Sequence, residues 1–139
     1  MPRSSESVIR IAIVDDDHML LGVFSSLMKR SNFHTHFFLD AVKALEKISE
    51  IKGHYNLVIS DIRMPNMDGL EFARKIRSIE PNLPIILMTG YGLALTPEQI
   101  EAAGIHQLLI KPTTIHALGT AVHAALATAT GKSVPRISS

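Results

Sequence analysis

Apolar residues fall into short runs separated by amphipathic stretches along this chain, and that alternation repeats five times. Ile9 to Val14 is dominated by β-branched residues with little polar interruption, the mark of a strand buried on both faces. Phe33 to Leu39, Asn56 to Ser60 (NLVIS), Leu83 to Met88 (LPIILM) and Gln107 to Ile110 (QLLI) predict four more strands. Between them the period changes to that of a helix. His18 to Arg30 predicts one. Asp40, a good cap, opens the amphipathic stretch AVKALEKISEIK, which Gly53 stops. Asp68 with Glu71 three residues on resembles a capping box for a helix over Leu70 to Ile79. Thr96-Pro97-Glu98-Gln99 supplies a cap, a proline and a glutamine for a short helix ending at Gly104. From Thr114 to Thr128 a last helix puts Ile115, Leu118, Val122, Ala125 and Leu126 on one stripe. Five strands, each followed by a helix, predict an α/β fold: a parallel sheet with right-handed crossovers and helices on both faces.

A length of 139 residues suits one domain of this kind. Residues 9–129 form that domain in this reading, with aperiodic Ser-, Thr- and Pro-containing tails at 1–8 and 130–139 that are expected to be flexible. A formal charge of +1 and only 5% aromatic residues provide neither a basic field nor a stacking surface, so nucleic acid is not an expected partner. With no cysteine there are no disulfides, thiolate nucleophiles or zinc–sulfur sites. MPRSSESVIR lacks the apolar core of a leader, and no apolar run is long enough to span a bilayer, so the expectation is a cytoplasmic domain without membrane contact.

The informative charges sit where strands end. Ile11 to Val14 runs into Asp15, Asp16 and Asp17; strand three runs into Asp61; strand four ends at Thr89-Gly90 and strand five at Lys111-Pro112. In open parallel sheets, ligands bind beyond the carboxyl ends of the strands. Two carboxylates about 4 Å apart repel by roughly 4 kcal/mol at an effective dielectric near 20, so the cluster calls for a cation. Oxygen donors from Asp suit a hard ion, and Mg²⁺ in particular is held by one or two carboxylates, waters and phosphate oxygens. Asp61 can then attack phosphorus as a carboxylate nucleophile. Lys111 and Thr89 are positioned to stabilise the transferring oxygens.

VDDD, DIRMPNMDG, MTGY and LLIKP, in that order, resemble the receiver domain of two-component response regulators over roughly Ile9 to Thr128. The resemblance implies a flavodoxin-like, doubly wound five-stranded sheet of order 2-1-3-4-5. It implies that Asp61 accepts a phosphoryl group from a phosphohistidine, and that Asp15, Asp16, Asp61 and the backbone carbonyl of Arg63 organise Mg²⁺. Lys111 would pair with the phosphate, Thr89 would be the switch hydroxyl, and Pro112 would follow a cis bond. Arg63 and Tyr91 fall where such domains tune the acyl-phosphate lifetime. The partner would be a histidine kinase or histidine phosphotransfer protein. Such a domain is not an enzyme in its own right but a phosphoacceptor with self-catalysed acyl-phosphate chemistry.

One position departs from the pattern. Strand five usually carries Phe or Tyr three residues before the lysine, and here that position is Leu108. Output is then expected through the loop and helix after strand four, or through onward transfer of the phosphoryl group. The segment LTPEQIEAAGIHQLLIKP favours the C-terminal receiver of a hybrid sensor histidine kinase over a single-domain regulator. Met19, Leu20 and Val23 exceed what one buried stripe of the first helix needs; they form either a deeply buried helix or a docking patch for a helical phosphotransfer partner.

Plainer readings weigh against several of these residues. Asp17 serves as a helix cap, and Thr89 as a strand-end hydroxyl satisfied by backbone. His34 and His36 share a strand face but lack a third ligand nearby in sequence, and His116 and His123 face solvent. His18 stands at the mouth of the site. Two rival functions remain. An Mg-dependent phosphatase of the haloacid-dehalogenase type would need a second Asp two residues after Asp61, where this chain has Arg63. A pseudo-receiver that only binds protein would not need the acidic pair with Asp61 and Lys111.

Overall fold

The computed structural model describes residues 8–15, 33–64, 66–90, 95–110 and 115–130. Five strands, β1 (Ile9–Val14), β2 (Phe33–Phe38), β3 (Leu57–Asp61), β4 (Ile85–Thr89) and β5 (Gln107–Ile110), pair in parallel in the order β2-β1-β3-β4-β5. Four helices are described: α1 (Ala41–Glu50), α2 (Gly69–Ile79), α3 (Pro97–Ala103) and α4 (Ile115–Thr130). The doubly wound order expected from the resemblance is the order found. The helix anticipated over His18 to Arg30 lies outside the described residues.

Side-chain alternation along the strands divides the core in two. Ala12, Val14, Val58, Ile85 and Leu87 face α1 and α2, where Ala44, Ile48, Phe72 and Ile76 meet them in one cluster. Ile11, Ile13, Leu57, Ile59, Ile86 and Met88 face the other way and pack with Leu118, Ala121, Val122 and Ala125 of α4. Of the stripe anticipated on the last helix, Leu118, Val122 and Ala125 are buried and Leu126 packs against them, while His116 and His123 are exposed. No helix among the described residues is long and apolar enough to cross a membrane.

The helix starts follow the sequence signals. Asp40 accepts from the Val42 N–H at 2.6 Å and Asp68 from the Glu71 N–H at 2.9 Å. Thr96 and Gln99 form a reciprocal capping box. The Glu71 carboxylate lies 3.8 Å from the Lys75 amine. Several boundaries differ from the sequence pattern by one or two residues, and two of these differences have a visible cause. β3 runs through Asp61 because the Ile62 N–H continues its ladder to the Met88 carbonyl at 3.0 Å. α1 ends at Glu50, two residues before the pattern does: Ile51 is already extended, and the left-handed Gly53 (φ 81°) gives its N–H to the Glu80 carboxylate at 3.0 Å.

Arg77, in the last turn of α2, ties distant backbone together. Its guanidinium donates to the carbonyls of Glu80, Pro81 and Leu83 at 3.2, 2.7 and 2.8 Å, and to that of Gly104 at 2.6 Å. Gly104 closes α3 in the left-handed region at φ 68°, with the Arg77 side chain against the place a Cβ would occupy. These charge-assisted bonds satisfy loop carbonyls that strand and helix ladders leave over.

At the sheet edge, His36 Nδ1 lies 2.7 Å from the Tyr55 hydroxyl, and the His54 ring packs edge-on to Tyr55 with centroids 4.8 Å apart. Desolvation, and then the positive charges of His54, Arg10, His34 and Lys47, hold His36 below its ordinary value of 6.5. Burial, and then Arg77, lower His106 in the same direction. A folded-state pKa below the unfolded value means that the unfolded chain takes up the proton first. Stability is therefore full above about 6.5 and falls as pH drops through that value toward the folded-state ones. Urea unfolding is expected to show a lower midpoint at about pH 5.5 than at about pH 7.5. The His36→Gln, His106→Gln double variant should flatten that dependence; an unchanged slope would assign it to other groups.

Candidate functional site

Three side chains singled out in the sequence end adjacent strands at one rim. Asp15 directly follows β1, is fully buried, and donates its N–H to the Phe38 carbonyl at 3.0 Å. Asp61 is the last residue of β3, 7% exposed, and Thr89 the last of β4, 3% exposed. The register Val14↔Ser60 sets Asp15 beside Asp61, and Asp61↔Met88 sets Thr89 one residue further on along the neighbouring strand. Adjacent strands lie about 4.8 Å apart, so residues separated by 46 and 28 positions in sequence share one short edge. Buried carboxylates are rare enough in proteins that a pair on neighbouring strand ends points to chemistry.

Thr89 is less simply placed. It continues the alternation of Ile85 and Leu87, which face α1 and α2, whereas Asp61 continues that of Leu57 and Ile59. Its hydroxyl donates to the Gly90 carbonyl at 3.3 Å, the backbone-satisfied arrangement weighed above as the plainer reading. Leu108, at the position where an aromatic ring was expected from the resemblance, stands opposite Leu87 and packs half-buried against the first cluster. Arg63 points an exposed side chain away from the core. Asp16, Asp17, Tyr91, Lys111 and Pro112, and with them His18, Met19, Leu20 and Val23, lie outside the described residues.

The backbone that carries Asp61 is held by two residues the sequence reading passed over, Ser60 and Gly69. The buried Ser60 hydroxyl donates to the Asp61 carbonyl at 2.8 Å. The Gly69 N–H donates to the Ile62 carbonyl at 2.8 Å, and a Cβ on Gly69 would stand 2.5 Å from the Asp61 carbonyl oxygen and 2.8 Å from Ile62 Cα. Only glycine lets the first turn of α2 come that close. Asn66, in the left-handed region at φ 73°, gives its amide to the second oxygen of Asp40 at 3.1 Å. A signal for Gly69 did exist: a glycine just inside a helix start weakens the helix, and is retained where backbone must approach backbone.

Among the described residues no three metal-ligating side chains stand together. The two that do share an edge, Asp15 and Asp61, offer oxygen alone. That set fits Mg²⁺, which completes its shell with water and phosphate oxygens and does not need an all-protein cage. It suits zinc poorly, for want of nitrogen and sulfur ligands. The histidines His34, His36 and His54 lie at the β2 edge, apart from this rim.

Comparison with known proteins identifies the family. The family model described as the response regulator receiver domain matches residues 11–123. The regulatory protein AtoC of Escherichia coli (strain K12) is 34% identical over 120 residues, which is 86% of this chain and 26% of that protein. The C4-dicarboxylate transport transcriptional regulatory protein DctD of Rhizobium meliloti (strain 1021) is 36% identical over 102 residues, 73% of this chain and 22% of that protein. The chain thus spans about a quarter of the length of these relatives. Among solved structures, a CheY-like receiver domain protein from Methanospirillum hungatei JF-1 superposes with a TM-score of 0.79 at 26% identity, covering 90% of this chain and 98% of its own. A receiver domain protein from Clostridium thermocellum, at 24% identity, shares the fold with a TM-score of 0.81 over 88% of this chain and 97% of its own. With the strand order already in agreement, the match over 11–123 settles the family: this chain is a response regulator receiver domain.

Proposed function

We propose that Asp61 is the phosphoacceptor of this receiver domain and takes its phosphoryl group from a phosphohistidine of a histidine kinase or histidine phosphotransfer protein in the cytoplasm. The observation that carries this is the pairing of two buried carboxylates, Asp15 and Asp61, on adjacent strand ends. In the transfer, a carboxylate oxygen of Asp61 attacks phosphorus, the phosphorus–nitrogen bond breaks, and the imidazole leaves with its electron pair and takes up a proton. An acyl phosphate forms on Asp61 without change of oxidation state. Asp15, Asp16, Asp61 and the Arg63 carbonyl would hold Mg²⁺, which when bound supplies positive charge to oxygens that are otherwise mutually repulsive.

The remaining work is done by side chains of the rim. The Thr89 hydroxyl exchanges its bond to Gly90 for one to a phosphoryl oxygen, and the Lys111 ammonium pairs with another. Ser60 and Gly69 keep the Asp61 backbone fixed while its side chain reacts. The parent protein proposed from LTPEQIEAAGIHQLLIKP is a hybrid sensor histidine kinase; similarity to DctD, a transcriptional regulatory protein, supports a regulator as the alternative.

Incubation with Mg²⁺ and a small phosphodonor tests the site itself. One phosphoryl group per chain is the expected yield by intact mass, and beryllofluoride should bind in the same ratio and compete with it. Multiple turnover on phosphomonoesters would instead make the chain a phosphatase, and no modification at all would make it a binding module.

A further inference from the structure

Cationic side chains from β1, β2, α1 and the loop after α1 gather at the β2 edge of the sheet. Ile9, Ile11 and Phe33 pack toward the second core cluster, so Arg10, His34 and His36, which alternate with them, point to the opposite face. The register Arg10↔His34 makes the guanidinium and the imidazole lateral neighbours, on strands about 4.8 Å apart. His36 follows two residues along β2, and the ring of His54, from the loop after α1, lies 5.9 Å from it between centroids. Arg10 stands at the start of β1, the end opposite Asp15, so this group is separate from the acceptor rim.

These groups are held in place and left un-neutralised. Asn56 pins the Arg10 backbone from both directions: its side chain accepts the Arg10 N–H at 2.8 Å, and its own N–H donates to the Arg10 carbonyl at 2.7 Å. The buried Tyr55 fixes His36 through the 2.7 Å contact of its hydroxyl with Nδ1, which leaves Nε2 as the ring's other polar atom, and it packs His54 edge-on. The charges acting on His36 are all positive: His54, Arg10, His34 and Lys47 of α1. Of these cations only Lys47 has an ion pair among the described residues, with Glu50 at 3.6 Å. Surfaces usually intersperse the two signs, and a single-sign group on a rigid sheet attracts counter-ions. Protonated imidazoles and a guanidinium are strong N–H donors to phosphate oxygens. A metal ion fits poorly, because Arg10 and Lys47 repel it and no three ligating side chains stand together among the described residues.

We infer that this face binds a linked-phosphate anion, a diphosphate or triphosphate group, and holds it most tightly when its imidazoles are protonated. Donors spread over two strands and a loop suit a chain of phosphates better than a single tetrahedral anion. The inference does not rest on the phosphoacceptor reading. Its pH dependence has a definite sign: an anion that prefers the charged imidazoles raises their pKa values, so its affinity increases as pH falls through about 6.5.

Isothermal titration calorimetry of the full chain with sodium tripolyphosphate tests it, at constant ionic strength and with EDTA to keep divalent ions from the acceptor rim. Affinity is expected to be at least about tenfold higher at about pH 5.5 than at about pH 7.5. In the wild-type chain the imidazole resonances of His36 and His54 should titrate at higher pH when the anion is present, a readout that needs no variant. Arg10→Gln and the His34→Gln, His36→Gln variant should each weaken binding at the lower pH by at least about tenfold, and circular dichroism checks the fold of each. His116→Gln with His123→Gln, exposed on α4, should leave it unchanged. Adenosine triphosphate separates the sources: tighter binding than tripolyphosphate assigns the phosphate tail of a nucleotide, and equal or weaker binding assigns free polyphosphate. No binding of tripolyphosphate at about 1 mM and the lower pH would overturn the inference. So would an affinity equal at the two pH values, His36 and His54 resonances that do not move, or folded Arg10 and His34–His36 variants that bind like the wild type.

Discussion

Asp61→Asn is expected to leave the chain folded and to abolish acyl-phosphate formation, a loss of at least about a thousandfold in labelling by a small phosphodonor. The amide keeps the shape of the carboxylate but lacks a nucleophilic oxyanion, so the acceptor role is removed with little change in packing. Stability should hold or rise, because one of two nearby buried carboxylates becomes neutral and their repulsion is relieved. Asp15→Asn separates the roles further. It should permit labelling of Asp61 but shift the Mg²⁺ dependence to higher concentration, which a titration of labelling rate against Mg²⁺ reads directly. Stoichiometric labelling that persists in Asp61→Asn would place the phosphoryl group elsewhere and end the present assignment.

Gly69→Ala is expected to cost about 2–4 kcal/mol in urea unfolding, far more than a methyl group at a helix start usually does. The added Cβ meets backbone, at 2.5 Å from the Asp61 carbonyl and 2.8 Å from Ile62 Cα, so no rotamer change can relieve it. Relief requires the segment carrying the acceptor to move. The same substitution should therefore slow labelling in whatever fraction remains folded, by about a hundredfold if the displacement approaches 1 Å. Gly119→Ala in α4 is the control. Nothing lies within 4 Å of its Cβ, and the exchange should stabilise the helix by about 0.5–1 kcal/mol. Equal effects at the two positions would show that the close approach at Gly69 is not maintained in solution.

Most of the fold was legible because each level of the sequence points the same way. Ile11, Ala12, Ile13 and Val14 form an unbroken apolar run, and a parallel strand covered on both faces requires one. Asp40, Asp68 and Thr96 announce helix starts by local hydrogen bonds alone, so a linear reading suffices for them. Asp15, Asp61 and Thr89 could be placed together because a parallel sheet delivers all its strand ends to one rim. What was not legible depends on approach between distant segments. The contact of Gly69 with the acceptor backbone, the bond from Asn66 to Asp40 and the bond from Arg77 to the Gly104 carbonyl arise only once the strands are assembled. The Thr89 hydroxyl could be named as a rim group, but its bond to Gly90 is a matter of one torsion angle, on which residue type is silent.

The Arg77 staple gives α3 an asymmetry that matters for how such a domain can transmit a signal with Leu108 where a ring would be. Ala103 is the only buried residue of this seven-residue helix, and the carbonyl of the adjoining Gly104 is gripped by the guanidinium. At the opposite tip Thr96 and Gln99 cap each other, seven residues past the strand that carries Thr89. The helix is thus pinned at Gly104, so any displacement of it has to turn there or break the Arg77 bond, while Leu95 packs its start against the first core cluster.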